Sequence, residues 1–398
     1  MSSYVFFLSL IGIVQVSMCY ILEKLRIGPL WLFFGAWFIP VFLSQNTHLI
    51  FNREWSYETF MATQFVTVGF LLGYFVTFLV TLNVNFNSAS YLKSTALSRL
   101  RFCTYMTAIV VIISYTYLYF KIGGPPLTSG GVGVKRILLT KIAPPVFSLA
   151  QLANLFAVSY GLLRLQKNNS QSLDAIWILI LLLLILSGWR NLILTYLVFT
   201  LTPIICEKRP RLSKVFLFVF CFLIIFSIIG FIRGDQGDRA AFDYGSAADL
   251  ILLYIYPAFI NFEILQSFEV SGSHYFTLQF LFKPIYSAFD MNVIPPQNAI
   301  GAFNVATGLT PLYHDGGTVN IFCVFLFLGI LLRILLKVKN KGVIVYFAIS
   351  SIFATIIFLH NGWFLLNYMF SYNLIAYVAF SLLYFVVLKP SKVGKFHG

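Results

Sequence analysis

The ionisable residues that could do chemistry are concentrated in one stretch of this sequence. Eight of the thirteen acidic residues lie between Asp235 and Asp315, and the same stretch contains His314. A histidine beside an aspartate can take a proton from a hydroxyl group, because imidazole titrates near neutrality. His314 and Asp315 therefore indicate a general base. The alternative is structural, with Asp315 capping a helix that begins at Gly316.

Two basic segments offer binding sites for an anion. Residues 121–142 contain Lys135 and Arg136 and no acidic residue, and Arg233 and Arg239 enclose two aspartates in a second segment. Arginine suits phosphate because its planar guanidinium forms paired, charge-assisted hydrogen bonds. The alternatives are contact with anionic lipid headgroups for the first segment and a solvated connector for the second.

Arg190 is a third candidate for anion binding. It follows a Ser-Gly turn between two apolar runs, where an unpaired guanidinium would be costly. We expect it to have a fixed partner. That partner is either a carboxylate of the chain, such as Glu263 or Asp249, or the diphosphate of a ligand.

The elements that must position these residues are membrane helices. Of 398 residues, 59% are hydrophobic and 10% are charged, which lies outside the range of soluble domains. Apolar runs close to the length that spans a bilayer recur from end to end. The sequence therefore predicts an all-α polytopic membrane protein, with residues 1–398 as a single transmembrane domain. About eleven spans are predicted, near residues 4–22, 28–44, 60–82, 102–120, 143–165, 174–187, 190–206, 214–232, 316–336, 343–359 and 363–388.

The distribution of basic residues predicts the orientation of these spans. The net charge of +14 falls mainly in short clusters between apolar runs, as the positive-inside rule requires of cytoplasmic loops. A surface for nucleic acid is therefore not indicated. The rule predicts a periplasmic N terminus, a cytoplasmic C terminus and external segments at residues 45–59, 121–142, 188–190, 233–315 and 360–362.

Residues 248–289, within the large external loop, are predicted to form a helical hairpin. They are apolar enough to enter the membrane, but a single crossing would place the basic residues 333–341 on the wrong side. The hairpin therefore either re-enters from outside or crosses twice. A carboxylate such as that of Glu263 is tolerated at this depth only inside protein or along a polar cavity.

Cofactor and metal sites are not indicated. The sequence has no ATP-binding or dinucleotide-binding fingerprint. Its five cysteines lack CxxC spacing and histidine partners, which disfavours a zinc site.

Three motifs resemble the oligosaccharide repeat-unit polymerases, the Wzy or O-antigen polymerase family of bacterial inner-membrane proteins. They are Ser187-Gly-Trp-Arg190 before Asn-Leu-Ile-Leu, Arg233-Gly after a long apolar run, and Thr310-x-x-Tyr313-x-Asp315-Gly-Gly before a helix. The resemblance in layout covers nearly the whole chain. Two departures are that Gly316 stands where the family usually has an aromatic residue, and that Gly245 lies one residue beyond the RX10G-like spacing of some members.

The resemblance implies a GT-C-like integral-membrane glycosyltransferase, independent of metals and of other cofactors. Such an enzyme transfers a glycan from undecaprenyl diphosphate to another lipid-linked repeat unit at the periplasmic face. Charge that develops on the departing diphosphate must be stabilised. We expect this from Arg136, Arg190, Arg233 and Arg239, assisted by Lys135. We expect His314 or Asp315 to activate the acceptor hydroxyl, and three aromatic residues to stack on sugars: Trp189, Tyr244 and Tyr313.

Two other functions fit the same layout. One is an O-antigen ligase, which shares the architecture and uses the lipid A core as acceptor. The other is a transporter or flippase for the lipid-linked oligosaccharide. For the polymerase, the expected partners are the undecaprenyl-diphosphate-linked oligosaccharide and membrane lipids, with a chain-length regulator and a flippase as further candidates.

Overall fold

A computed structural model of the chain describes residues 55–81, 94–128, 146–166, 171–208, 258–266, 307–338 and 342–359, with residues 14, 17, 37, 40 and 41. All regular structure in this part of the chain is helical. The bounded helices are α1 (Tyr57–Thr81), α2 (Ser94–Lys121), α3 (Val146–Leu165), α4 (Gln171–Leu186), α5 (Arg190–Lys208), α6 (Leu309–Lys337) and α7 (Val343–Ile357). Residues 258–265 are also helical.

Three of the helices described have apolar stretches long enough to cross a membrane. These stretches are Tyr57–Thr77 in α1, Leu97–Lys121 in α2 and Leu309–Lys337 in α6. The other four bounded helices are apolar but shorter. The all-helical membrane class that the composition predicts is therefore confirmed for the described residues. The seven helices correspond to seven predicted spans; the spans at 4–22, 28–44, 214–232 and 363–388 lie outside the described residues, isolated positions apart, and eleven spans stay a prediction.

The exposed faces of these helices are apolar, as contact with lipid requires. On α2 the exposed side chains recur at helical spacing and include Phe102, Met106, Ile113 and Tyr117. Several threonines, in contrast, are buried inside the protein. Polar groups turned inward and apolar groups turned outward are the pattern expected of helices in a bilayer.

The chain divides into two compact units. The first consists of Met1–Ser88 and Ile205–Phe370, and the second of Ala89–Ile204 and Ser371–Gly398. The first unit thus contains α1, the 258–266 segment, α6, α7 and the end of α5. The second contains α2, α3, α4 and most of α5.

In the first unit, α1 and α6 pack through glycines. A side chain at Gly69 or Gly73 would collide with the backbone of α6 near Phe322 and Leu326, and one at Gly329 would collide with the backbone of α1. Sequence position increases along both helices together, so they run parallel. Small residues spaced four apart let membrane helices approach closely in this way.

Further along this helix pair, toward the C-terminal ends of α1 and α6, an arginine is buried. Arg333 is 6% exposed, donates from Nη1 to the Tyr74 hydroxyl at 3.2 Å, and lies 5.2 Å from the centre of that ring. Arg333 lies inside α6, within the span predicted at residues 316–336. Burying a guanidinium requires partners of this kind.

In the second unit, α4 and α5 form a hairpin, in agreement with the two spans predicted at residues 174–187 and 190–206. Their turn is residues 187–189, where Gly188 has a φ of 70°, a conformation that favours glycine. Four rings pack in the unit's interior, with interplanar angles of 28° or less. We call this set the aromatic stack: Phe156, Tyr160, Trp177 and Tyr196.

The polar atoms of the aromatic stack all have hydrogen-bond partners. Tyr160 donates to Asp174 Oδ1 at 2.7 Å, and Tyr196 donates to the Trp177 carbonyl at 3.1 Å. Trp177 donates from Nε1 to Thr200 Oγ1 at 3.0 Å. These bonds connect α3, α4 and α5, so the aromatic stack is a scaffold for the second unit.

Candidate functional site

The candidate catalytic pair lies in the first two turns of α6. This helix begins at Leu309, with Gly308 as the residue before it, and is broken at Gly316 and Gly317. Asp315 directly precedes this break, and the alternative that it caps the helical part starting near Gly316 stays a prediction. Gly317 has a φ of 64°, which a glycine adopts without strain. The break separates residues 309–315 from the long apolar part of the helix.

His314 has an unpaired ring nitrogen. The imidazole lies against the Leu265 backbone and interacts with it. Nε2 is buried and has no hydrogen-bond partner among the described residues. The Asp315 carboxylate lies close enough to interact with the ring electrostatically. An imidazole that donates from Nδ1 leaves Nε2 as a proton acceptor.

Tyr313, a predicted sugar-stacking residue, packs edge-on against Phe262 with the ring centres 5.7 Å apart. Its hydroxyl lies within electrostatic range of Glu58 and Glu263. The 258–266 segment thus holds Tyr313 and His314, the first through a ring and the second through its backbone.

Glu263 anchors this segment to the start of α1. Its Oε2 accepts from the Ser56 backbone N–H at 3.1 Å, from the Ser56 hydroxyl at 2.9 Å, and from the Thr59 hydroxyl. Ser56 in turn accepts from the Thr59 N–H at 3.2 Å, as a helix N-cap does. A carboxylate at a helix N-terminus is stabilised by the helix dipole. This gives Glu263 a structural role, and the predicted partner of Arg190 remains open because the Arg190 side chain is outside the described residues.

Segments that the charge rule places at the external side of the membrane lie together at one end of the first unit. Residues 55–59 contact the 258–266 segment through Glu263, and that segment contacts residues 313–314. The Gly308 N–H donates to the Leu359 carbonyl at 2.8 Å, which adds the end of α7. Four separate segments with the same predicted side therefore converge here.

The N-terminal part of α6 also carries buried polar atoms that the sequence analysis missed. Thr307 and Thr310 are each 1% exposed, and their hydroxyls have no hydrogen-bond partner among the described residues. Thr310 and His314, four residues apart, lie on one face of α6, and Thr307 stands two positions before the helix begins. We call these three residues the α6 polar face. That spacing is a sequence signal that could have found them.

In the second unit, Trp189 and Arg190 lie next to the start of the predicted basic loop. Leu127 donates its N–H to the Leu186 carbonyl at 3.0 Å, and Tyr119 donates to the Leu183 carbonyl at 2.5 Å. The turn before Arg190 therefore packs against the first residues of the 121–142 loop. Trp189 is partly exposed at this turn.

Of the ten predicted site residues, the structure describes five: Trp189, Arg190, Tyr313, His314 and Asp315. The other five lie outside the described residues: Lys135, Arg136, Arg233, Arg239 and Tyr244. Within the described ranges, no three side chains of His, Cys, Asp or Glu are grouped so that they could hold a metal ion.

No protein-family model, no curated protein and no solved structure matches this chain. The resemblance to the Wzy family therefore depends on the motifs and layout given above. A function has to be argued from the residues themselves.

Proposed function

We propose that this protein is a polysaccharide polymerase of the bacterial inner membrane. It transfers a glycan from undecaprenyl diphosphate to a second lipid-linked repeat unit. The observation that carries the proposal is His314, whose ring is held by the Leu265 backbone while Nε2 is unpaired. The described helices supply the membrane character that such an enzyme needs.

His314 has the arrangement that a general base requires. A base must have a free acceptor atom and an orientation fixed by another group. We assign Nε2 as that acceptor and the Leu265 backbone as the neighbour that orients the ring.

The reaction balances without a metal or ATP. The acceptor hydroxyl oxygen attacks the anomeric carbon of the donor glycan, and its proton passes to His314 Nε2. The bond from the anomeric carbon to the diphosphate oxygen breaks, and the diphosphate leaves with that electron pair. Cleavage of this bond supplies the driving force, so the protein has to stabilise the leaving anion.

The predicted cations are suited to that anion. Arg190 is the first residue of α5, where the helix dipole also favours negative charge. The turn before it packs against the start of the loop that carries Lys135 and Arg136. Arg233 and Arg239 complete the proposed set, and Trp189, Tyr244 and Tyr313 are proposed to stack on sugars.

Purified full-length protein in proteoliposomes with lipid-linked repeat units tests this function. Polymer ladders should form without an ion gradient, which a transporter cannot produce. Supplying lipid A core as the acceptor separates a ligase from a polymerase. Absence of any longer glycan under both conditions would contradict a glycosyltransferase.

Arginine variants test the proposed diphosphate clamp. Arg136→Ala, Arg233→Ala and Arg239→Ala should each abolish or greatly reduce ladder formation while the protein still inserts into the membrane. Lysine at the same positions should restore little, because a point charge lacks the paired donors of a guanidinium. Arg99→Ala, at the predicted cytoplasmic end of α2, is the matched control. Wild-type ladders from all three alanine variants would discard the clamp.

A further inference from the structure

The hydroxyls of the α6 polar face differ from those of other buried threonines. Thr77, Thr104 and Thr355 each donate to the carbonyl four residues earlier in the same helix, at 2.7 or 2.8 Å. Thr307 and Thr310 have no such acceptor, because the helix begins at Leu309 and offers no preceding turn. Buried polar groups without a partner are rare and call for a physical cause.

The chemistry of the α6 polar face selects a ligand with hydroxyl groups. Two threonine hydroxyls can both donate and accept, while His314 Nε2 can only accept when Nδ1 carries the proton. A ligand that satisfies all three must therefore offer donors as well as acceptors. Sugar hydroxyls have both capacities, whereas a fully ionised phosphate has acceptors alone.

The surrounding charge also disfavours an anion at this position. Asp315 acts on the His314 ring, and Glu58 and Glu263 act on the neighbouring Tyr313 hydroxyl. Like charges repel more strongly away from bulk water. A neutral glycan is compatible with three carboxylates, and a diphosphate is not.

The α6 polar face is closed in this structure. Thr307 and Thr310 are almost fully buried, so a ligand can reach them only if the first turns of α6 move. The break at Gly316 and Gly317 provides that freedom. Beyond the break, Gly329 fixes α6 against the backbone of α1. Opening must also release the bonds that hold this short segment, from Asn320 Nδ2 to the Leu312 carbonyl at 2.8 Å and from the Gly308 N–H to the Leu359 carbonyl at 2.8 Å.

We infer that Thr307, Thr310 and His314 form a subsite for the hydroxyl groups of the acceptor sugar, closed without ligand and opened at the Gly316–Gly317 break. This assignment rests on the proposed function for the identity of the sugar as acceptor. It separates the two substrates, because the acceptor glycan binds in the first unit among carboxylates. The donor diphosphate binds instead to the arginines and the lysine proposed above to stabilise it.

The first experiment measures sugar binding by the full-length protein in detergent. The probes are the methyl glycosides of glucose, galactose, mannose, N-acetylglucosamine and rhamnose, with the melting temperature as readout. At least one glycoside should raise it saturably, and inorganic diphosphate should not compete. If none of the five shifts it, or if diphosphate displaces the bound sugar, the inference is wrong.

Valine substitutions then test the hydroxyls. Thr307→Val and Thr310→Val keep the side-chain shape. Each should lower about tenfold the affinity for the glycoside that raised the melting temperature, as expected for one lost hydrogen bond. Neither should lower the melting temperature without sugar, since each removes an unsatisfied group. Thr77→Val is the matched control, because its hydroxyl is bonded within α1; sugar binding should stay unchanged. Unaltered binding in the Thr307/Thr310 double variant would overturn the subsite.

The two proposals fail in different ways. If glycosides bind as stated and no ladders form with lipid-linked substrates, the polymerase is wrong and the sugar subsite remains. If ladders form and the double valine variant keeps the wild-type KM for the acceptor, the polymerase remains and the subsite is wrong.

Discussion

Two clusters of buried side chains, one in each unit, differ in whether their polar atoms have hydrogen-bond partners. In the aromatic stack, Tyr160, Trp177 and Tyr196 all have hydrogen-bond partners from neighbouring helices. On the α6 polar face, two hydroxyls and one imidazole nitrogen have none among the described residues. A satisfied cluster rigidifies a fold, and an unsatisfied one retains capacity for a ligand. We therefore expect the aromatic stack to act as scaffold and the α6 polar face to bind the proposed ligand.

The largest expected effect is on activity, from the α6 polar face. His314→Gln removes the proposed base and should lower the polymerisation rate by about 10²–10⁴-fold, the usual contribution of general-base catalysis. The melting temperature should stay close to that of the wild type, because Nε2 contributes no bond within the described structure. Rates of ladder formation in proteoliposomes measure this. Val319→Ala, at an exposed position of the same helix, is the control.

A second variant tests the scaffold side of the comparison. Tyr196→Ala should cost about 3–5 kcal/mol of stability, because it leaves a cavity among stacked rings. It also removes the bond to the Trp177 carbonyl. Unfolding in mixed micelles with increasing SDS should show the loss, while molecules that remain folded keep their rate. Ile178→Ala, on the exposed face of α4, should cost little. A loss of polymerisation rate with unchanged stability would contradict a purely structural role for the aromatic stack.

The smallest expected effect is a difference in stability between two matched substitutions, one in each cluster. Thr200→Val leaves the Trp177 N–H without its acceptor and should destabilise by about 1–3 kcal/mol, the cost of an unpaired buried donor. Thr310→Val, chemically the same change, should cost nothing. Melting temperatures of the two variants in one detergent give the result. Equal losses would show that hydrogen bonding does not distinguish the two clusters.

Local sequence patterns predicted most of the helices described. Apolar runs placed all seven of them, because each span must satisfy its own backbone in lipid. The turn at residues 187–189 followed from Ser-Gly punctuation. The long apolar part of α6 was predicted from Gly316, where the structure has the break, and the helical residues 309–315 before it were missed because Thr310, Pro311 and His314 interrupt the apolar pattern.

Contacts between distant segments were beyond sequence reasoning. The bonds from Ser56 and Thr59 to Glu263 join positions about 200 residues apart, and no local periodicity encodes such a pairing. For the candidate site, His314 and Asp315 were recognisable as residue types. The unpaired state of Thr307 and Thr310 depends on where the helix begins, which the sequence pattern misplaced. The predicted arginines stay predictions.

The glycine contacts between α1 and α6 also bear on how the protein is made. Gly69 and Gly73 meet a helix that the ribosome delivers about 250 residues later, a delay of about 12–50 s at typical rates of synthesis. During that interval the α6 backbone that these glycines contact is not yet present. We expect an insertase or a membrane chaperone to shield it, and truncations that end before residue 309 should be degraded rapidly in cells.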